Sequence, residues 1–103
     1  MYNMNINLYI KQLRTNQSKT LHQIAIETDI DATLLSKIER GDRLPTFDQI
    51  QKIALFFQVP INNLQALLIA QRIIKDYGLN EITIKALELV KQEFSTPKNI
   101  KND

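Results

Sequence analysis

Between Leu21 and Ile38 apolar residues return every three or four positions, the period of a helix with one buried face, and the pattern breaks once, around Asp29 to Asp31. The chain there is two short helices, about eight and nine residues long, joined by a turn of roughly three residues. So tight a turn imposes two local demands. The first helix needs a small side chain where the second crosses it, and Ala25 stands there. Four positions on, the backbone needs a residue that tolerates positive φ. Asp29 stands there, and Asp enters the left-handed region more readily than most residues. Ile24, Ile30, Leu35 and Ile38 then supply the small core that fixes the angle between the helices.

The rest of the chain reads as helix too. A first helix is expected from about Ile6 to Thr15, with Ile6, Tyr9, Ile10 and Leu13 inward and Asn16, Gln17 and Ser18 as a polar break. Thr20 with Gln23, and Thr46 with Gln49, have the spacing of capping boxes. Asp31 caps the helix that runs to Arg40, with Leu34, Leu35 and Ile38 facing inward, and Gly41 is a left-handed stop. Phe47, Ile50, Ile53, Ala54 and Phe57 form the stripe of a fourth helix, and Pro60 marks the break after it. Asn62 caps a fifth helix that continues to Tyr77, and Gly78 ends it. Asn80 caps a sixth, from about Glu81 to Phe94, with Ile82, Ala86, Leu89 and Val90 on one face.

The helix from Asp31 divides its faces cleanly. Ala32, Thr33, Ser36 and Lys37 share the outer side. Small residues let a backbone come close to a base-pair edge, methyls meet a thymine methyl, hydroxyls bond to any base, and a lysine reaches guanine O6 or N7. Such a face suits a DNA major groove.

The stretch Leu34-Leu35-Ser36-Lys37-Ile38-Glu39-Arg40-Gly41-Asp42-Arg43-Leu44-Pro45-Thr46 resembles the recognition-helix signature of the XRE (phage repressor/Cro) family. Ile10 to Arg14, Gln23-Ile24-Ala25 and Ile50 to Phe57 extend the resemblance over residues 6–68. It implies an all-α fold, a five-helix repressor/Cro-like helix-turn-helix domain over 6–68, here with a C-terminal helical extension over 69–94. It implies that Ala32, Thr33, Ser36 and Lys37 read bases. Thr20, Leu21 and His22, at a helix N-terminus, would hold a phosphate, as would Arg40 and Arg43. Arg14 and Glu39 would form a buried ion pair. The family usually has Gln where this chain has Leu21, so only a backbone contact carries over there. Lys19 replaces an apolar residue and is a candidate phosphate contact. Asp29 replaces the usual Gly. Asp31 and Glu39 set negative charge near the same face.

Composition narrows the alternatives. The chain has 103 residues, 44% of them hydrophobic, which suits one domain with a short extension. A net charge of +2 is weakly informative, because Lys11, Arg14, Lys19, Lys37, Arg40 and Arg43 share their half of the chain with Glu27, Asp29, Asp31, Glu39 and Asp42. With no cysteine and one histidine, His22, neither thiol chemistry nor a metal site is expected. No catalytic constellation, cofactor motif, membrane span or secretory leader is expected either, and the expected location is cytoplasmic. The stripes of the extension leave two outcomes open, folding back on the domain or pairing with a second copy. The pairing reading fits a symmetric regulator, a repressor on a palindromic operator, with double-stranded DNA and a homodimer as partners. A reading of another class is an antitoxin whose extension or tail neutralises a small protein partner. The controller protein of a restriction–modification system is related to it. Residues 95–103, polar and containing Pro97, are expected to be a disordered tail.

Overall fold

A computed structural model describes residues 5–96, and these form six helices with no strand among them. The order is α1 (Ile6–Asn16), α2 (Leu21–Thr28), α3 (Ala32–Glu39), α4 (Phe47–Phe57), α5 (Ile61–Tyr77) and α6 (Glu81–Ser95). The chain divides into two compact units, 1–72 and 73–103. The boundary falls within α5, four residues beyond the expected end of the first domain.

The core of the first unit is aliphatic. Ile6 and Ile10 of α1, Ile24 of α2, Leu35 and Ile38 of α3, Ile50 and Ile53 of α4, and Leu64 and Leu68 of α5 are each almost fully buried. Ile30, in the turn between α2 and α3, is buried with them. Phe57 packs edge-on to Phe56, with ring centroids 4.9 Å apart. Burial of these stripes, more than helix propensity, holds such short helices in place.

Local chemistry sets where the helices start and stop. Thr20 and Thr46 each accept from a backbone N–H three residues on, and Gln23 and Gln49 each accept in return from the cap N–H. These satisfy donors that a helix start otherwise leaves bare. Asp31 accepts from Thr33 N at 3.0 Å, and Asn80 from Thr83 N at 2.9 Å. Gly41, at φ +80, follows α3 where a Cβ would also meet the Asn7 amide at 3.2 Å.

Three details differ from the sequence expectation. Asn62 does not cap α5; the helix starts at Ile61, straight after Pro60, so Asn62 lies in its first turn. Proline fixes its own φ and has no N–H that needs a partner, so it fits at the boundary where a helix begins. Phe47 is half exposed and not part of the α4 stripe, because it occupies the first turn, where the helix has yet to reach the core. Ser95 ends α6; of the expected tail, 97–103 lie outside the described residues.

The second unit is built differently. It comprises the end of α5, the turn at Gly78 (φ +86) and α6. Asn80 Nδ2 and Thr83 Oγ1 both donate to the Tyr77 carbonyl, which closes the turn. Among the described side chains of α6, Thr83 alone is buried.

Candidate nucleic-acid interface

The turn between α2 and α3 works as its residue types require. Asp29 is left-handed, at φ 57 and ψ 33, and Ile30 then drops into the core. Thr28 is buried with its hydroxyl donated to the Ile24 carbonyl at 2.7 Å, so its polar atom has a partner inside α2.

α3 is anchored from beneath by Leu35, Ile38 and Glu39, all buried. Its opposite side is open. Thr33, Lys37 and Arg40 are exposed, and Ala32 and Ser36 are half-buried beside them. All four residues expected to read bases therefore lie toward one side of one rigid helix. Arg43 is exposed in the loop that follows. The carboxylates near this face are occupied locally. Asp31 caps α3, and Asp42 accepts from Arg40 Nε at 3.1 Å. Arg40 Nη1 also donates to Ser36 Oγ, so its guanidinium lies back along α3.

Glu39 is the buried charge of the region. Arg14 meets it with two parallel hydrogen bonds, Nε to Oε2 at 2.7 Å and Nη2 to Oε1 at 2.9 Å. The hydrogen bond to Glu39 raises the Arg14 pKa above its ordinary value, against the opposing effect of burial. The guanidinium therefore stays charged at any working pH. Its remaining arm, Nη1, donates to the Lys19 carbonyl at 3.1 Å. One side chain of α1 thus ties α3 to the segment that leads into α2. Asn7 adds a second tie, donating to the Glu39 carbonyl at 3.2 Å where α3 ends.

At the start of α2, Thr20 and Gln23 use their own N–H groups in the capping box. Leu21 and His22, the next two residues, have N–H groups without intrahelical acceptors by position. The helix dipole adds partial positive charge there. His22 is exposed, and Leu21 is half-buried against the core. Lys19 is half-buried, with its ammonium 6.0 Å from the centre of the Phe56 ring. That placement turns part of its charge toward the protein's own aromatic surface. Among the described residues no group of three His, Asp or Glu side chains is placed to hold a metal ion, and no helix is long and apolar enough to cross a membrane.

Sequence reasoning missed three contributors. The Asn7 tie carries no signal, since a polar residue in a first turn is commonplace. The packing of Lys19 on Phe56 joins residues far apart in sequence. The Ser36–Arg40 contact was legible as an i, i+4 spacing.

A family model described as Helix-turn-helix matches residues 10–64. The chain is 34% identical over 61 residues to the HTH-type transcriptional activator BcrR of Enterococcus faecalis. That match covers 59% of this chain and 30% of the relative, so the chain spans under a third of that protein's length. No solved structure matches the chain.

Proposed function

The chain belongs to the helix-turn-helix family, and from that premise we propose that it is a sequence-specific regulator of transcription, a homodimeric repressor that binds a palindromic operator in double-stranded DNA. The observation that carries this reading is the outward face of α3, where Thr33 and Lys37 stand exposed on a helix held by three buried residues. A rigid helix whose small and cationic side chains face solvent can enter a major groove without rearrangement.

In this reading α3 lies in the groove. Ala32 and Thr33 approach base edges at its N-terminal end, and Ser36 and Lys37 read further along. The N–H groups of Thr20, Leu21 and His22 belong to the edge of the groove, and those of Leu21 and His22 take a phosphate. Arg40 and Arg43 hold the backbone beyond α3, with Arg40 exchanging Asp42 and Ser36 for a phosphate oxygen. Lys19 adds charge from beside Phe56. The Arg14–Glu39 pair positions both DNA-facing elements and touches no base.

One such helix makes too few contacts to select an operator, and two copies about one helical turn apart, roughly 34 Å, make enough. A dimer seated on a promoter excludes other proteins from that stretch of duplex, and repression follows. The similarity to an activator covers 30% of that relative, too small a share to carry over the sign of regulation.

The test is a titration on operator and mismatched duplexes, with the operator selected from a random pool. Lys37→Ala is expected to cost about 1–3 kcal/mol on the operator and to relax the preference at one base pair. Arg43→Ala is expected to weaken binding to every duplex alike and to flatten the salt dependence by roughly one unit of slope. Equal losses for Lys37→Ala on all duplexes would make Lys37 a backbone contact. A wild-type protein that ignores duplex DNA at low ionic strength would end the reading.

A further inference from the structure

We propose that the second unit is completed by the same face of a second copy, with α6 packed antiparallel on its counterpart and crossing it at Ala86, and that α6 folds fully only on that association. The inference rests on the homodimer reading above and names the surface that performs it.

The first ground is the state of α6 in a single chain. It is a helix of 15 residues whose one buried side chain is Thr83. Ile82 is 82% exposed and Phe94 is 89% exposed. Isolated helices shorter than ~12–15 residues are marginal in water, and most helical stability comes from a covered apolar face. Within the second unit α6 has the face and lacks the cover.

The second ground is the shape and chemistry of that face. Ile73 and Tyr77 of α5, with Ile82, Ala86, Leu87 and Val90 of α6, line an open groove of about 820 Å³ within the second unit. Ile82, Ala86, Val90 and Phe94 follow one another at four-residue steps and carry no charge. Tyr77, Ile82, Leu87, Val90 and Phe94 together leave on the order of 700 Å² open, against ~800 Å² per partner in a stable interface. Over residues 73–103 five lysines (Lys75, Lys85, Lys91, Lys98, Lys101) match five acids (Asp76, Glu81, Glu88, Glu93, Asp103). A strongly acidic or basic partner would find no complement here, whereas a second copy brings the same apolar, nearly neutral surface.

The third ground fixes the direction. A parallel pair sets Lys85 beside Lys85, Glu88 beside Glu88 and Lys91 beside Lys91. An antiparallel pair crossing at Ala86 sets Glu81 level with Lys91 of the second copy at both ends, and it opposes the helix dipoles. Ala86 is the smallest residue of the stripe, and a small side chain at the crossing lets two helices approach closely.

The chain has no cysteine, so single cysteines report the geometry directly. The experiment uses the full-length chain without DNA. Sedimentation is expected to give a dimer, and far-UV helicity is expected to fall on dilution in step with dissociation. Under mild oxidation Ala86→Cys should form a covalent dimer. Ile82→Cys and Val90→Cys should each fail to do so alone, while a chain with both should cross-link. Ile82→Asp should raise the dimer dissociation constant roughly 100-fold while the thermal transition of the first unit is kept, which separates lost assembly from lost folding. A chain that stays monomeric at about 100 µM overturns the proposal. So does a dimer that does not cross-link at Ala86, or one that cross-links equally through Ile82→Cys or Val90→Cys alone. Protein that cross-links at Ala86 yet ignores every duplex would instead overturn the DNA-binding reading and support this one.

Discussion

α3 and α6 are both amphipathic, both capped by a side chain at their first turn, and covered to very different degrees. The apolar side of α3 is sealed by its own chain, with Leu35 and Ile38 almost fully buried and Glu39 matched by Arg14. The apolar side of α6 faces solvent from Ile82 to Phe94. The helix proposed to meet DNA is therefore rigid before it binds, whereas the extension's helix has a surface still to be covered. An amphipathic stripe in a sequence says that a face must be buried; it does not say which molecule buries it.

The largest test of this contrast is Ile38→Ala. Removing a fully buried side chain under α3 is expected to cost about 2–5 kcal/mol, read as a lower midpoint in chemical denaturation. A loss under ~1 kcal/mol, no more than a typical point mutation, would mean that α3 is no better anchored than α6. Arg14→Met comes next. It leaves Glu39 buried and unmatched, at a cost of roughly 3 kcal/mol, while the double variant Arg14→Met/Glu39→Leu should recover much of that loss. If the double variant is no better, the pair is acting through something other than the burial of an uncompensated charge. Because the Arg14 pKa is raised, its contribution is fully present below the ordinary arginine value. It is lost only as pH climbs through the still higher folded value, so denaturation midpoints near neutrality should not change through this group.

The smallest effect compares two caps. Thr20→Ala removes the α2 box and Asn80→Ala removes the α6 cap, each at about 1 kcal/mol. α2 is packed into the core, so Thr20→Ala should lower stability without changing native helicity. α6 has no such packing in one chain, so Asn80→Ala should lower far-UV helicity at dilutions where the dimer has come apart. Matching helicity losses in the two variants would erase the distinction between the regions.

Much of the fold was legible because its signals are local. Apolar spacing placed all six helices, and Thr20, Asp31, Thr46 and Asn80 marked four helix starts through hydrogen bonds that close within three residues. Asp29 was readable as the left-handed turn residue for the same reason. Gln58 was not, although it is left-handed at φ 56 and ends α4. Its side chain has no special affinity for that conformation, and the bond from Val59 N to the Ala54 carbonyl holds it there. Asn62 misled because an amide near a helix start looks like a cap whether or not the helix begins one residue sooner.

The sequence by itself determined the helices, the turn between α2 and α3, and the family, because each depends on residue types at short, fixed spacings. Tertiary structure alone decided that one guanidinium bridges α3 and the approach to α2, that Asn7 closes the end of α3, that Lys19 rests on Phe56, and that the stripe of α6 is left uncovered. Those facts join residues distant along the chain. They depend on where whole helices come to lie, and a linear pattern of apolar and polar residues carries no coordinate for that.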